Sequence, residues 1–507
     1  MIILIENHPF AYEMENLCRV FFPNEKFTIV REAPEQGEED LVRTGRRAEA
    51  DGVRLSAGVR LSGRPFRTAE AFLPDDTEEL EAECERTLAV LLFGLLKELT
   101  GVTPSWGILT GVRPIKLLRR LTQEAGEAEA ADYFREKLLV SQEKTALALT
   151  TMRCEQEILS LSRRDSYSLY ISIPFCPTRC AYCSFVSQSV EKAARLMPDY
   201  VEKLCWELEA AASLARAYGL RLETVYIGGG TPTTLTAGQL ERLIGAVRAH
   251  FDPDSAREFT VEAGRPDTIT PDKLAVMKAG GVTRISINPQ TLNDGVLETI
   301  GRRHTSAQTL EAFAMARDAG FDNINMDLIA GLPGEPFESF ERTLSKILAL
   351  SPESVTIHTL AMKRSSRLTQ EGQALYRKDC EEAEKMLAYA RERLLARDYL
   401  PYYLYRQSRM VGNLENVGWA KRGYEGLYNV YVMDETHTVL GCGAGAVSKI
   451  KEPGGEQLDR VFNFKFPYEY LSRFEEMLQR KEEAAGYLGR YFSGQPAETE
   501  AGCPSAT

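Results

Sequence analysis

Between residues 166 and 400 the chain keeps one rhythm. A short apolar run is followed by a loop rich in glycine, proline and polar residues, then by a longer stretch with apolar positions three and four apart. The short runs have the length and composition of buried strands, and the longer ones the periodicity of amphipathic helices. Strands are expected at Leu169–Ile173, Thr224–Ile227, Phe259–Glu262, Arg284–Ile287, Asn323–Ile329 and Ser354–Leu360. The helices between them are expected to start near Met197-Pro198, over Gly238–Phe251, from Pro271, up to about Ala319, over Phe337–Leu350 and from about Gln370 to Arg397. Parallel strands need such crossovers, and their right-handedness winds six units into a curved sheet. The expected fold class is α/β, a partial (β/α)6 barrel over residues 165–400, with its chemistry at the C-terminal strand ends.

The remaining chain breaks this rhythm. Residues 1–164 predict an N-terminal α/β domain of unknown role. Its strands are expected at Ile2–Ile5, Phe27–Val30, Val53–Leu61 and Phe66–Phe72, with the last two forming a hairpin. A helix should open in the acidic stretch Asp75–Glu85 and run to Leu99, with others over Glu127–Leu139 and Gln142–Leu161. Residues 401–490 predict a mixed α+β region covering the substrate, and 491–507 a small, polar, disordered tail.

Every unusual loop follows one of the six strands. The first carries Cys176, Cys180 and Cys183, spaced C-x3-C-x2-C. Three thiolates can hold three irons of a [4Fe–4S] cubane and leave the fourth open to another ligand. A structural zinc ion wants four protein ligands, whereas Ser184 and Phe185 follow the third cysteine. The competing reading is three ordinary buried thiols or an incomplete zinc site. The second loop, Gly228-Gly229-Gly230-Thr231-Pro232, leaves N–H and C=O groups close enough to grip an ammonium or a carboxylate. Glu262, Gln290 and Asp327 stand at the next strand ends and offer a carboxylate and hydrogen-bond partners for hydroxyls. Arg302 can pair with a ligand carboxylate. Trp106–Lys116, with two glycines, a proline and two bases, fits a helix-capping linker and a substrate or cluster contact equally well.

Composition narrows the class. A net charge of −12 over 507 residues argues against general nucleic-acid binding. The longest apolar run, Leu88–Leu96, is too short for a transmembrane segment. The first residues lack the basic region of a signal peptide. The seven cysteines outside the cluster loop are scattered, as in a reducing, cytoplasmic setting.

The motifs Tyr170-x-Ser-Ile-Pro-Phe-Cys-x3-Cys-x-Tyr-Cys183, Gly228-Gly-Gly-Thr-Pro-Thr233, Thr260-Val-Glu-Ala263, Ser286–Gln290, Ile300-Gly-Arg-Arg-His304 and Met326–Glu335 resemble the oxygen-independent coproporphyrinogen III oxidases, within the radical S-adenosylmethionine (SAM) enzymes. The resemblance runs from about Leu169 to Lys449 and is most similar to a long bacterial paralogue with an extra N-terminal domain. It implies a [4Fe–4S] cluster on Cys176, Cys180 and Cys183, whose open iron chelates SAM and whose electron splits it. By the same resemblance Glu262 holds the SAM amino group and Arg302 its carboxylate. Gln290 and Asp327 meet the ribose, the Tyr182 backbone meets the adenine, and Tyr170 borders cluster and SAM; Gly229, Gly230 and Thr231 belong to the cofactor-binding loop. The implied activity is oxidative decarboxylation of coproporphyrinogen III propionates to vinyl groups, in porphyrin and haem biosynthesis, with a donor such as flavodoxin.

Three positions depart from the pattern. Ser172 and Phe185 stand where the decarboxylases usually carry His and Cys, and Asn288-Pro-Gln290 replaces Gly-x-Gln. Phe185 is the pattern of a haem-chaperone-like branch, so haem trafficking, or another modification of a tetrapyrrole, is the alternative. Arg406, Lys421, Arg422 and Lys449 are the candidate propionate clamps, while His358 and His437 are expected to be structural.

Overall fold

The computed structural model describes residues 1–32, 40–183, 187–362, 377–407 and 409–492, together with 366 and 368. Phe185, the end of the Ala361–Arg364 loop, the start of the helix expected from Gln370 and the tail beyond Phe492 lie outside the described residues. The chain divides into two compact units. One comprises residues 1–153, 358–393 and 404–417, and the other 154–357, 394–403 and 418–507. Stretches that the sequence assigns to the barrel and to the C-terminal region thus group with the N-terminal residues.

The first unit holds a sheet of β1 (Ile2–Glu6), β2 (Thr28–Val30), β3 (Leu41–Glu49), β4 (Gly52–Arg60) and β5 (Arg67–Pro74), in the order β2-β1-β3-β4-β5. The hairpin β4–β5 forms as expected. Strand β3 and the helix Ala11–Phe21 were not foreseen. With three arginines and a glutamate, β3 lacks an apolar strand's composition; β1 and β4 hold it by pairing along both edges. The helix expected over Glu127–Leu139 splits into Glu127–Asp132 and a wider π turn, Tyr133–Lys137. Trp106 is buried and its indole donates to Glu415 Oε2 at 2.7 Å, while Lys144 Nζ reaches Glu415 Oε1 at 2.5 Å. Gly107 has φ +56° and a Cβ there would stand 2.1 Å from the Leu138 carbonyl, so only glycine fits. Trp106-Gly107 is therefore an internal strut of this unit.

The second unit contains β6 (Ser166–Ile173), a two-stranded pair β7 (Phe175–Cys176) and β8 (Gln188–Ser189), then β9 (Arg221–Gly229), β10 (Glu258–Glu262), β11 (Arg284–Ser286), β12 (Ile324–Ala330) and β13 (Ser354–Thr359). Strands β14 (Leu400–Tyr405), β15 (Asn416–Ala420), β16 (Thr438–Cys442), β17 (Val447–Lys451) and β18 (Leu458–Phe462) follow. The large sheet runs β14-β15-β13-β12-β11-β10-β9-β6-β16-β17-β18. Its centre is the expected six-strand winding, in sequential order. Crossover helices Met197–Ala217, Ala237–His250, Pro271–Ala279, Ser306–Asp318 and Phe337–Leu350 join the strands. Two of them start on capping boxes, Thr236 with Gln239 and Thr305 with Gln308, which satisfy end N–H groups that have no partner within the helix. The C-terminal strands do not form a separate lid, since β16 pairs parallel to β6 and extends the barrel sheet.

Strand period two sorts the side chains of the central strands into two sets. Leu169, Ile171, Val225, Ile227, Phe259, Val261, Ile285, Met326 and Leu328 are buried in the core. The alternate positions carry Ser168, Tyr170, Thr224, Tyr226, Glu262, Arg284, Ser286, Asn325 and Asp327. They bond from strand to strand: Ser168 to Thr224 at 2.7 Å, Asn325 to Ser286 at 3.0 Å and Thr356 to Asn325 at 3.1 Å. The helix Leu427–Asp434 sits at the N-terminal strand ends. Its Leu427 N–H donates to Glu258 Oε2 at 2.6 Å, and Tyr428 stacks on Tyr226 with ring centroids 4.4 Å apart.

The C-terminal residues are tied in by one buried carboxylate. Glu207 accepts from the Gly443 N–H at 2.7 Å, Asn463 Nδ2 at 2.8 Å and the Tyr470 hydroxyl at 2.7 Å, and pairs with Lys481 at 2.8 Å. Glu207 and Lys481 are both buried. Glu207→Ala leaves the Lys481 ammonium buried without its counter-ion, at a cost of about 3–5 kcal/mol. Chemical denaturation should show the second unit's transition at lower denaturant by that amount, whereas an unchanged midpoint would show the pair to be dispensable.

Candidate cluster and cofactor site

The cysteine loop leaves β6 and is fastened at its start by the glycine run after β9. Gly230 N–H donates to the Ile173 carbonyl at 2.8 Å and Thr231 N–H to that of Phe175 at 2.7 Å. A Cβ on Gly230 would come within 2.6 Å of the Phe175 oxygen and 3.0 Å of Cys176 Sγ. These N–H groups, which the sequence reading leaves available to a ligand, are spent on the loop itself. Gly229, at φ +106°, turns its own N–H toward Glu262. The run is thus a cradle for the cysteine loop and for one carboxylate.

The far end of the loop is tied to the residues after β11. Ala181 N–H donates to the Ile300 carbonyl at 2.9 Å, the Thr178 hydroxyl to that of Gly301 at 2.9 Å, and Cys183 N–H to that of Cys180 at 3.2 Å. Cys180 is buried, while Cys176 and Cys183 are half-buried. Burial raises the Cys176 thiol, opposed by the Ser187 and Thr231 hydroxyls; Thr231 Oγ1 lies 3.6 Å from the sulfur. Among the described residues no three His, Cys, Asp or Glu side chains converge as a single-ion site requires. A cubane differs, because each thiolate reaches its own iron. Three thiols on one loop, two of them already facing donors, fit that group.

Glu262, Gln290, Arg302 and Asp327 all come to the same end of the barrel. Glu262 is half-buried and accepts from the Tyr226 hydroxyl at 2.5 Å. Burial lifts its carboxyl to about 7, opposed by the Tyr226 hydroxyl and the Gly229 N–H and reinforced by Asp327. Asp327 accepts from Asn325 Nδ2 at 2.7 Å. Gln290 takes φ +68° and exchanges backbone bonds with β12, its N–H to Asp327 O at 2.9 Å and its carbonyl from Ile329 N–H at 3.0 Å. Arg302 is buried, and its terminal nitrogens reach the Asn288 carbonyl at 2.6 Å, that of Gly264 at 3.3 Å and the Tyr182 hydroxyl at 3.1 Å. Its Nε is buried with no acceptor, an orphan donor that an anion would satisfy. The fork is therefore largely committed to the protein, which leaves one edge for a ligand. Tyr170 stacks in line with Tyr428 at 6.0 Å, on the polar side of β6.

Two groups had no role in the sequence reading. Tyr226 orients Glu262, and its signal was the strand alternation that puts it on the polar face. Arg265, in the loop after β10, reaches Cys180 Sγ at 3.7 Å. A buried base beside a proline at a strand end was its only signal.

Of the proposed propionate clamps, those in the second unit do not reach this end, and Arg406 is engaged within the first. Arg406 lies in the first unit, buried, bonded to the carbonyls of Leu109 and Asn413 and stacked on Trp106 at 5.2 Å; burial pulls it down to about 10. Lys421 bonds to the Ser351 carbonyl at 2.9 Å, ahead of β13 and so at the opposite barrel end. Lys449 pairs with Glu435 at 3.6 Å, and Arg422 with Glu157 at 3.6 Å on the exposed surface. Flanking sequence gave these residues their basic, aromatic look, and strand direction carries Lys421, Arg422 and Lys449 away from the mouth. His437 is structural, as expected: its ring bonds Ser162 and Ser168 at 2.8 Å each, and burial holds it neutral, down to about 3. Ser172 is buried, with its hydroxyl donating to the Ala444 carbonyl at 2.8 Å.

Residues 170–347 match the Radical SAM superfamily. The oxygen-independent coproporphyrinogen-III oxidase-like protein HemZ of Bacillus subtilis is 39% identical over 439 residues, 85% of this chain and 87% of that protein. The haem chaperone HemW of Bacillus subtilis is 31% identical over 311 residues, 59% of this chain and 77% of that protein. The solved coproporphyrinogen III oxidase HemN of Escherichia coli, described as a radical SAM enzyme, has the same fold, with a TM-score of 0.51 at 22% identity over 64% of this chain and 73% of that one. With an aligned relative along most of its length and the cysteine loop at the mouth of a six-strand barrel, the chain belongs to the oxygen-independent coproporphyrinogen III oxidase-like family of radical SAM proteins, which use a [4Fe–4S] cluster and SAM.

Proposed function

We propose that this protein is a radical SAM decarboxylase acting on the propionate side chains of coproporphyrinogen III. The observation that carries the reading is the convergence of a half-buried carboxylate, Glu262, an orphan guanidinium donor, Arg302 Nε, and the three-cysteine loop at one barrel end. Cys176, Cys180 and Cys183 would hold the cluster. Glu262 would take the SAM ammonium, Arg302 Nε its carboxylate, Gln290 and Asp327 the ribose, and the Tyr182 backbone the adenine. Bound together, the cluster and SAM supply what no side chain can, abstraction of an unactivated hydrogen atom. The chain's residues hold the reacting carbon in place and keep water out, where small displacements are costly. Loss of that hydrogen from the propionate β-carbon, then of carbon dioxide and of one electron to an external one-electron acceptor, leaves a vinyl group. The electron donor in this reading is a flavodoxin-like protein, and the compartment is the cytoplasm. In support, none of the nine described cysteines forms a disulfide and no helix among the described residues is long and apolar enough to cross a membrane.

A second reading, haem trafficking without decarboxylation, draws on two observations. Ser172, where decarboxylases carry His, spends its hydroxyl on Ala444, and Lys421, Arg422 and Lys449 are engaged away from the mouth. Anaerobic incubation with SAM, reductant and coproporphyrinogen III separates the two. Mass spectrometry should find vinyl products, with carbon dioxide released. Intact SAM cleavage with no vinyl product and stoichiometric haem binding would establish the second reading instead.

Anaerobic reconstitution should give about four irons and four sulfides per chain, and Cys176→Ala, Cys180→Ala or Cys183→Ala should abolish the cluster. A full iron content in any one of the three would remove that residue from the ligand set.

SAM binding should depend on pH through Glu262. The SAM ammonium selects the carboxylate form, which in the ligand-free protein is half populated near pH 7. Below that pH binding must first expel a proton, so affinity should fall about tenfold per unit and level off above it. Glu262→Gln should weaken binding by roughly one to two decades, the loss of a charge-assisted contact, and flatten the profile. Calorimetric titration at several pH values measures both effects. An unchanged profile in the variant would remove Glu262 from the site.

A further inference from the structure

We propose that Arg265 is a positioning residue that sets the reduction potential of the cluster through Cys180, with Asp267 as its counterweight; this rests on the three-cysteine ligand set above. Arg265 stands in the loop Ala263-Gly264-Arg265-Pro266-Asp267 and is 3% exposed. One terminal nitrogen lies 3.7 Å from Cys180 Sγ, and both lie 3.1 Å from the Thr178 hydroxyl in the same loop. The other edge of the guanidinium is held by Asp267, Nε to Oδ1 at 3.3 Å and the second terminal nitrogen to Oδ2 at 3.4 Å. His304 lies beside the pair, with Nδ1 3.9 Å from Asp267; burial and the charges of Arg302 and Arg265 keep its ring neutral, and the Arg302 guanidinium is a second cation facing Cys180.

This arrangement differs from a simple strut. A strut needs only the bonds to Thr178, which a neutral donor could supply. Arg265 brings a permanent charge in a rigid plane and points an N–H at a ligand sulfur. One electron entering the cluster from an external low-potential donor adds one negative charge beside the buried Cys180. A buried cation and an N–H···S contact both favour that reduced state, so both raise the potential. Asp267 opposes them, because its carboxylate faces the same guanidinium. The pair therefore gives two substitutions with opposite expected signs, a signature that loosening the loop would not produce.

The test is an EPR-monitored redox titration of the anaerobically reconstituted full chain, without SAM, with iron content measured on each sample. R265Q should keep its iron and shift to lower potential, by about 59 mV for a tenfold change in the one-electron equilibrium. D267N, which removes charge at nearly constant shape, should shift to higher potential. R265K should return most of the way to the wild type. Equal potentials in R265Q, D267N and the wild type would overturn the proposal, as would shifts of the same sign in the two variants. Should R265Q fail to assemble a cluster, D267N decides alone: a rise supports the proposal and no change overturns it. A wild-type chain that gives no cubane signal would overturn the ligand set itself, an outcome distinct from a cluster whose potential ignores Arg265.

Discussion

A parallel sheet covered on both faces is ordinarily apolar on both. Here one face is polar, and hydrogen bonds among its side chains decide what the protein can hold. Ser168 with Thr224, Asn325 with Ser286, Thr356 and Asp327, and Tyr226 with Glu262 form three separate groups on that face. Polar groups in a low-dielectric interior are costly unless paired, so each member fixes the rotamer of the next. The apolar face of the same strands packs the helices, and the polar face orients the residues proposed to meet SAM. Both tasks follow from the single alternation of the strand.

The mouth adds a second layer, made of loops. Gly230 and Thr231 clamp the start of the cysteine loop, and Ile300 and Gly301 clamp its end. The loop is therefore shaped by its neighbours' backbones. The Thr231 and Ser187 hydroxyls face Cys176, and the Arg265 and Arg302 guanidinium groups face Cys180. This division explains why the glycines after β9 are needed: any side chain on Gly230 would enter the space of Phe175 and Cys176.

The barrel was legible because six apolar runs of strand length alternate with helical periodicity, a pattern set by local sequence. The cysteine spacing and the strand-end polar residues were legible for the same reason, being fixed by distance along the chain. What was hidden depends on pairing between distant segments. Strand β3 is charged and survives because β1 and β4 hold both its edges. The stretches 358–393 and 404–417 join the N-terminal residues through packing that no local signal announces. Lys421, Arg422 and Lys449 went astray as clamps because a basic residue's distance from the mouth depends on strand direction; Lys421 ends beside Ser351 at the wrong end of the barrel. Arg265 was visible as a residue and invisible as a partner, since its value lies in reaching Cys180, 85 positions back in the chain.

Arg302 carries a consequence of another kind. Its guanidinium is buried and its Nε has no acceptor, so the ligand-free mouth holds a charge whose hydration has been lost without full replacement. An anion seated there restores the balance and stabilises the folded mouth by mass action. On the SAM assignment, the protein's resistance to local opening rises and falls with the supply of SAM. A chain starved of SAM is then idle and also less stable.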